Sequence, residues 1–104
     1  MKKLKIYLGE KDTCKGYPMY EYILKLSHKH KISGATVYKG IMGYGRKGHI
    51  HRNDFFSLSG DLPIIIEIFD SKEKIQILRD EIEKLPFDGL IATQDVEVIY
   101  KTKK

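Results

Sequence analysis

Apolar and polar residues alternate from Leu4 through Lys5, Ile6 and Tyr7 to Leu8. That period of two predicts a strand over residues 3–9 with one buried face. Gly9 to Gly16 is polar and reads as a turn region. Pro18 suits the first turn of a helix. The helix is predicted to run to about Lys31, with Tyr20, Ile23, Leu24 and Ser27 along one stripe, and Ser33-Gly34 ends it. Ala35 to Met42, rich in Thr, Val, Tyr and Ile, predicts a second strand. Asp61-Leu62-Pro63 leads into a strongly apolar third strand, Ile64 to Phe69. Asp70 or Ser71 is placed to cap a second helix, and Glu73 follows Asp70 as in a capping box. Ile75, Leu78, Ile82 and Leu85 recur at helical spacing, until Pro86 to Gly89 stops the helix. Ile91 to Tyr100 predicts a last strand, with Val96, Val98 and Tyr100 alternating against Asp95, Glu97 and Ile99.

The order β-α-β-β-α-β predicts an α+β, ferredoxin-like sandwich: an antiparallel sheet with both helices on one face and a long loop between strands 2 and 3. Residues 1–104 read as a single domain. If Leu4, Ile6, Leu8, Ile64, Ile66, Ile68, Val96 and Val98 face the helices, then Tyr7, Ile65, Phe69 and Ile99 face away. A cluster of that kind on an open sheet face implies a covering partner, and the expectation is a homo-oligomer.

The connection between the second and third strands is the least ordinary part of the chain. A hairpin needs about two to five residues there, so one of about 15 or more is a functional candidate. Gly43-Tyr44-Gly45-Arg46-Lys47-Gly48-His49-Ile50-His51-Arg52 packs glycines, cations and histidines together. Glycines let a backbone turn sharply and present its N–H groups, and Arg and Lys beside such a backbone suit phosphate. Phe55, Phe56 and Leu58 follow. The reading is a phosphorylated small ligand to which segment 43–60 responds.

Composition limits the alternatives. Hydrophobic residues make up 41% and charged residues 32% of 104 residues, which fits a globular domain. No apolar run approaches the roughly 20 residues of a membrane helix. The N-terminus enters a strand pattern directly, and a single cysteine, Cys14, cannot form an internal disulfide. Both features point to the cytoplasm. The net charge of +5 favours anionic partners, yet Lys2, Lys3, Lys5, Lys101, Lys103 and Lys104 concentrate it at the termini, so nucleic acid is not implied.

Ile32-Ser33-Gly34-Ala35-Thr36-Val37, followed by Gly43-Tyr44-Gly45-Arg46-Lys47-Gly48-His49, resembles the PII signal-transduction proteins. Leu62-Pro63, Ile66-Glu67-Ile68, Asp88-Gly89-Leu90-Ile91 and Asp95-Val96 extend the likeness over nearly the whole chain. The run Gly40 to Gly45 resembles more closely still a group of short PII-like proteins known only as a domain of unknown function. The resemblance implies a non-enzymatic, cytoplasmic homotrimer that binds an adenine nucleotide in clefts between subunits, with no required cofactor. It implies that Gly43, Tyr44, Gly45, Arg46 and Lys47 lie against phosphate or ribose. Tyr7 and Phe69 would line the base pocket with Gly89, Leu90 and Ile91 near it, and Thr36 would approach from the neighbouring subunit. Lys101 and Lys103 stand where PII proteins place two alternating basic residues. The bound nucleotide would order loop 43–60, which would then engage or release an unidentified target protein, a membrane transporter being one option.

The departures carry information too. PII proteins have a lysine where this chain has Leu90, so the expected preference is for AMP or ADP over a triphosphate. The loop lacks the tyrosine that some PII proteins modify covalently, since Phe55 and Phe56 cannot accept a nucleotidyl group. No residue points to 2-oxoglutarate. Two other readings compete. His49 and His51 form an H-x-H pair that could serve a divalent-metal-binding trimer, although zinc needs three or four ligands. A small phosphate-ester hydrolase is the other reading, but Gly9 to Gly16 lacks an arginine for an anion loop.

Overall fold

The computed structural model describes residues 1–43 and 62–103. Its elements are β1 (Lys2–Gly9), β2 (Thr13–Cys14), β3 (Tyr17–Pro18), α1 (Met19–Lys29), β4 (Gly34–Lys39), β5 (Pro63–Asp70), α2 (Lys72–Ile82) and β6 (Leu90–Asp95). The sheet runs β4-β5-β1-β6 with every neighbour antiparallel. That is the ferredoxin-like arrangement the pattern predicts.

Period two places Leu4, Ile6 and Leu8 of β1 and Ile64, Ile66 and Ile68 of β5 on one face. They join Met19 and Ile23 of α1 and Ile75, Leu78 and Ile82 of α2 in one core, so both helices cover the same face. Ser71 caps α2, its Oγ accepting the Lys74 N–H at 3.3 Å. In α1 the buried stripe is Met19, Ile23 and Ser27, with Tyr20 packed beside it and Leu24 exposed.

Helix α2 ends at Ile82, short of the expected Leu85, and three other boundaries differ more from the sequence expectation. β4 stops at Lys39 rather than Met42, because its partner strand opens at Pro63, which has no N–H to donate. The Gly40 N–H closes that end on the Pro63 carbonyl at 2.7 Å. β6 stops at Asp95 rather than Tyr100. Its partner β1 begins at Lys2, opposite Asp95, and one more bond runs from the Val96 N–H to the Met1 carbonyl. Residues Glu97 to Tyr100 therefore lie outside the strand. The region Gly9 to Gly16 is more than a turn. Lys15 and Gly16, both at positive φ, join the β2–β3 ribbon, and Cys14 enters the core.

Asp70 serves a purpose other than the expected capping box. It is only 9% exposed. Its carboxylate accepts the Ser33 N–H at 2.8 Å, the Ser33 hydroxyl at 3.1 Å and the Ser71 N–H at 2.6 Å. This ties the end of β5 to the turn that starts β4. Burial pushes the carboxyl up, but the Ser71 and Ser33 hydrogen bonds and the Lys74 charge outweigh it, so the group sits below its usual range. A depressed folded-state pKa means that Asp70 stabilises the fold fully above about pH 5. The contribution falls as pH drops through the unfolded value of about 3.9 towards the folded one. Asp70→Asn is expected to lose about 2 kcal/mol at pH 7. Urea midpoints at pH 7 and pH 3 measure this: the gap between the two proteins narrows at pH 3, and a gap that widens contradicts it.

Candidate functional site

The helix-free face of the sheet is a grid set by strand register. One row, at the end where β4 leaves the sheet, reads Tyr38, Ile65, Tyr7, Leu90. The middle row reads Thr36, Glu67, Lys5, Ala92. The third row reads Gly34, Phe69, Lys3, Gln94. Strands rise about 3.3 Å per residue, so Phe69 lies about 13 Å along the sheet from the Tyr7 row.

The middle of the face is polar. Tyr38 donates its hydroxyl to Glu67 Oε2 at 2.8 Å, and Lys5 Nζ lies 3.5 Å from the same oxygen and 5.6 Å from the Tyr7 ring centre. The Tyr38 hydrogen bond holds the Glu67 carboxyl below its usual range against the opposing effect of burial. The same bond raises the Tyr38 phenol. Contact with Tyr7 is the first cause that holds Lys5 above its usual value, offset in part by burial. The network fixes a cation beside Tyr7 and leaves the hydroxyl of Thr36 exposed on the β4 edge.

At the Tyr7 end, main chain closes in. A Cβ placed on Gly89 would stand 2.2 Å from the Tyr7 carbonyl oxygen, so glycine is required where β6 docks on β1. Leu90 follows, 55% exposed beside Tyr7. On the other flank Gly40 packs against the Pro63 ring, and Gly43 also lies close to it. This explains Ile65, which is on the open face as expected but only 7% exposed, covered by the chain around Gly40. The strand expected over Ile99 does not form. Ile99 lies beyond β6 and is 80% exposed. The apolar area of the open face is therefore smaller than the sequence implies.

At the opposite end, the chain after β6 borders a groove of about 290 Å³ lined by Ser33, Gly34, Phe69, Glu97, Val98 and Tyr100. Val98 faces this groove rather than continuing a helix-facing strand. Lys101 and Lys103 are exposed and outside regular structure.

Of the residues singled out from the sequence, Tyr7, Gly43, Gly89 and Leu90 gather at one end of the open face. Phe69 stands at the other, and Thr36 lies on the edge strand between them. Ile91 pairs with Ile6, on the helix-covered face, and packs against the core. Tyr44, Gly45, Arg46, Lys47, His49 and His51 lie outside the described residues. Among the described residues no three His, Cys, Asp or Glu side chains converge as a metal site, and no helix is long and apolar enough to cross a membrane. Sequence reasoning passed over Tyr38, Glu67, Lys5 and Glu97, because it sorted the open face by apolar residues alone.

A four-stranded antiparallel sheet in this order with both helices on one face is the ferredoxin-like fold, which PII-like proteins share. CPII of Thiomonas intermedia K12, a nitrogen regulatory PII-like protein solved with ADP, AMP and bicarbonate, superposes with a TM-score of 0.66 at 20% identity over 97% of this chain and 94% of that one. CPII bound to ADP, AMP and acetate gives 0.69 at 20% identity over 95% and 88%. The chain belongs to the family described as DUF190, "Uncharacterized ACR, COG1993", whose model matches residues 1–98. A UPF0166 protein of Methanocaldococcus jannaschii is 47% identical over 98 residues, covering 93% of this chain and 90% of that protein. A UPF0166 protein of Aquifex aeolicus is 40% identical over 99 residues, covering 95% and 93%.

Proposed function

We propose that this protein is a PII-like regulator that binds ADP or AMP between the protomers of a homotrimer, with segment 43–60 as the responsive loop. The observation that carries the reading is the division of the open face into two half-sites. One, with Tyr7, Gly89, Leu90 and Gly43, offers main chain, and Arg46 and Lys47 follow Gly43 closely in sequence. The other, with Gly34 and Phe69, offers an aromatic wall. About 13 Å of sheet separates them within one protomer. A ligand that uses both in one compact pocket takes them from two protomers. The nucleotides reported with CPII suit such a pocket.

The protein acts by binding rather than turnover. Ligand phosphate held by the 43–47 main chain and Arg46 biases the loop between two arrangements, and the favoured arrangement decides whether a target protein docks. Calorimetry with ADP, AMP and ATP, joined to sedimentation, tests the reading. A trimer that binds ADP in the micromolar range supports it; a monomer, or a trimer indifferent to all three nucleotides, refutes it.

Two variants probe the phosphate end. Arg46→Ala is expected to weaken ADP binding about tenfold or more, since a charge-assisted hydrogen bond is lost. Its sedimentation remains that of the wild type, and unchanged affinity rejects the assignment. Leu90→Lys restores a cation at an exposed position, so ATP affinity is expected to rise relative to AMP. An unchanged ATP-to-AMP ratio in calorimetry counts against the placing of the phosphates.

A further inference from the structure

The groove at the far end of the sheet holds a group that the nucleotide reading leaves unused. Phe69 and Val98 give it apolar walls, and Glu97 and Tyr100 border it from the segment after β6. Glu97 makes no hydrogen bond or ion pair among the described residues, while Glu67, Asp70, Asp95 and Glu10 each have a partner there. The groove measures about 290 Å³. That is ample room for one ring system.

We propose that Glu97 reads the base of the bound nucleotide, accepting a hydrogen bond from the 6-amino group of adenine while the ring lies against Phe69. This rests on the nucleotide reading above and adds its base specificity. The physical case starts from the carboxylate. Ionised, it only accepts hydrogen bonds. Adenine presents a donor at position 6, whereas hypoxanthine presents a carbonyl oxygen there. A carboxylate facing that oxygen gains no bond and meets like partial charge. A site built to accept a donor rejects the analogue that lacks one. The apolar walls complete the recognition, since stacking on an aromatic ring holds any base while hydrogen bonding selects among them.

The strand register explains why Glu97 is available for this. β6 ends at Asp95, opposite Lys2 of β1, and the chain leaves the sheet two residues before Glu97.

Calorimetry of the full chain with ADP and IDP, for the wild type, Glu97→Gln and Glu97→Ala, tests the proposal. The wild type is expected to favour ADP by about tenfold or more, the discrimination of one good base contact. A glutamine amide both donates and accepts, so Glu97→Gln serves either base, and the preference shrinks to about threefold or less. Glu97→Ala loses ADP affinity without gaining IDP affinity. Position 97 is exposed, and thermal unfolding and sedimentation of both variants stay as in the wild type. If the wild type binds ADP but both variants keep its ADP-to-IDP ratio, Glu97 does not read the base and the nucleotide reading stands. If the wild type binds neither nucleotide, both ideas fall together.

Discussion

Gly89→Ala is expected to lower stability by about 3 kcal/mol and to detach the start of β6 from β1. The new methyl carbon would stand 2.2 Å from the Tyr7 carbonyl oxygen and 3.0 Å from the Phe87 ring. A ring can rotate away, but the carbonyl cannot. It belongs to the central strand, bonded between β5 and β6, and moving it breaks pairing on either side. Urea denaturation measures the loss. Gly34→Ala supplies the control, because nothing lies within 4 Å of a Cβ added there. That variant is expected to stay within about 0.5 kcal/mol of the wild type. Equal midpoints for Gly89→Ala and Gly34→Ala would show that β6 does not dock as described. Gly89 also borders the Tyr7 half-site, so Gly89→Ala is expected to weaken ADP binding even where the protein remains folded.

Ile66→Ala is expected to cost about 2–5 kcal/mol. Ile66 lies on the helix-covered face of β5, paired with Ile6 on one side and Val37 on the other, and is fully buried. Three side-chain carbons disappear on substitution. Ile6, Leu4, Ile68 and the helix residues Ile23 and Leu78 are held by their own strands and helices, so they close the hole only in part. The side chain points away from the open face, so ADP affinity of the folded variant at low temperature is expected to match the wild type. A midpoint shift below about 1 kcal/mol, or a specific loss of nucleotide affinity, contradicts this placement of the core.

The pairing partners of each strand decide how much could be read from the chain. Leu4-Ile6-Leu8, Ile64-Ile66-Ile68 and Ile75-Leu78-Ile82 carry their period in consecutive residues, and all three stretches fold as their pattern predicts. The end of β6 depends on where β1 starts, and the end of β4 depends on Pro63. Neither limit is written in the strand that obeys it. The Asp70 anchor joins residues 37 positions apart and the Tyr38–Glu67 bond residues 29 apart, so both are products of register. The same is true of the site. Tyr7, Leu90 and Phe69 were recognisable as outward-facing or family-like positions. Their separation into two ends of one face, and the groove that Glu97 and Val98 border, follow only from the assembled sheet.

Complementation between protomers tests the central claim most directly. Tyr7→Ala damages one half-site and Phe69→Ala the other, so either variant alone is expected to bind ADP poorly. When the two are unfolded together and refolded at equal ratio, random assembly places an intact half of each kind at about one quarter of the interfaces of a cyclic trimer. Calorimetry of the mixture is then expected to show ADP binding at wild-type affinity with about one quarter of the wild-type stoichiometry. A mixture that binds no better than its two components would mean that the halves do not meet across protomers.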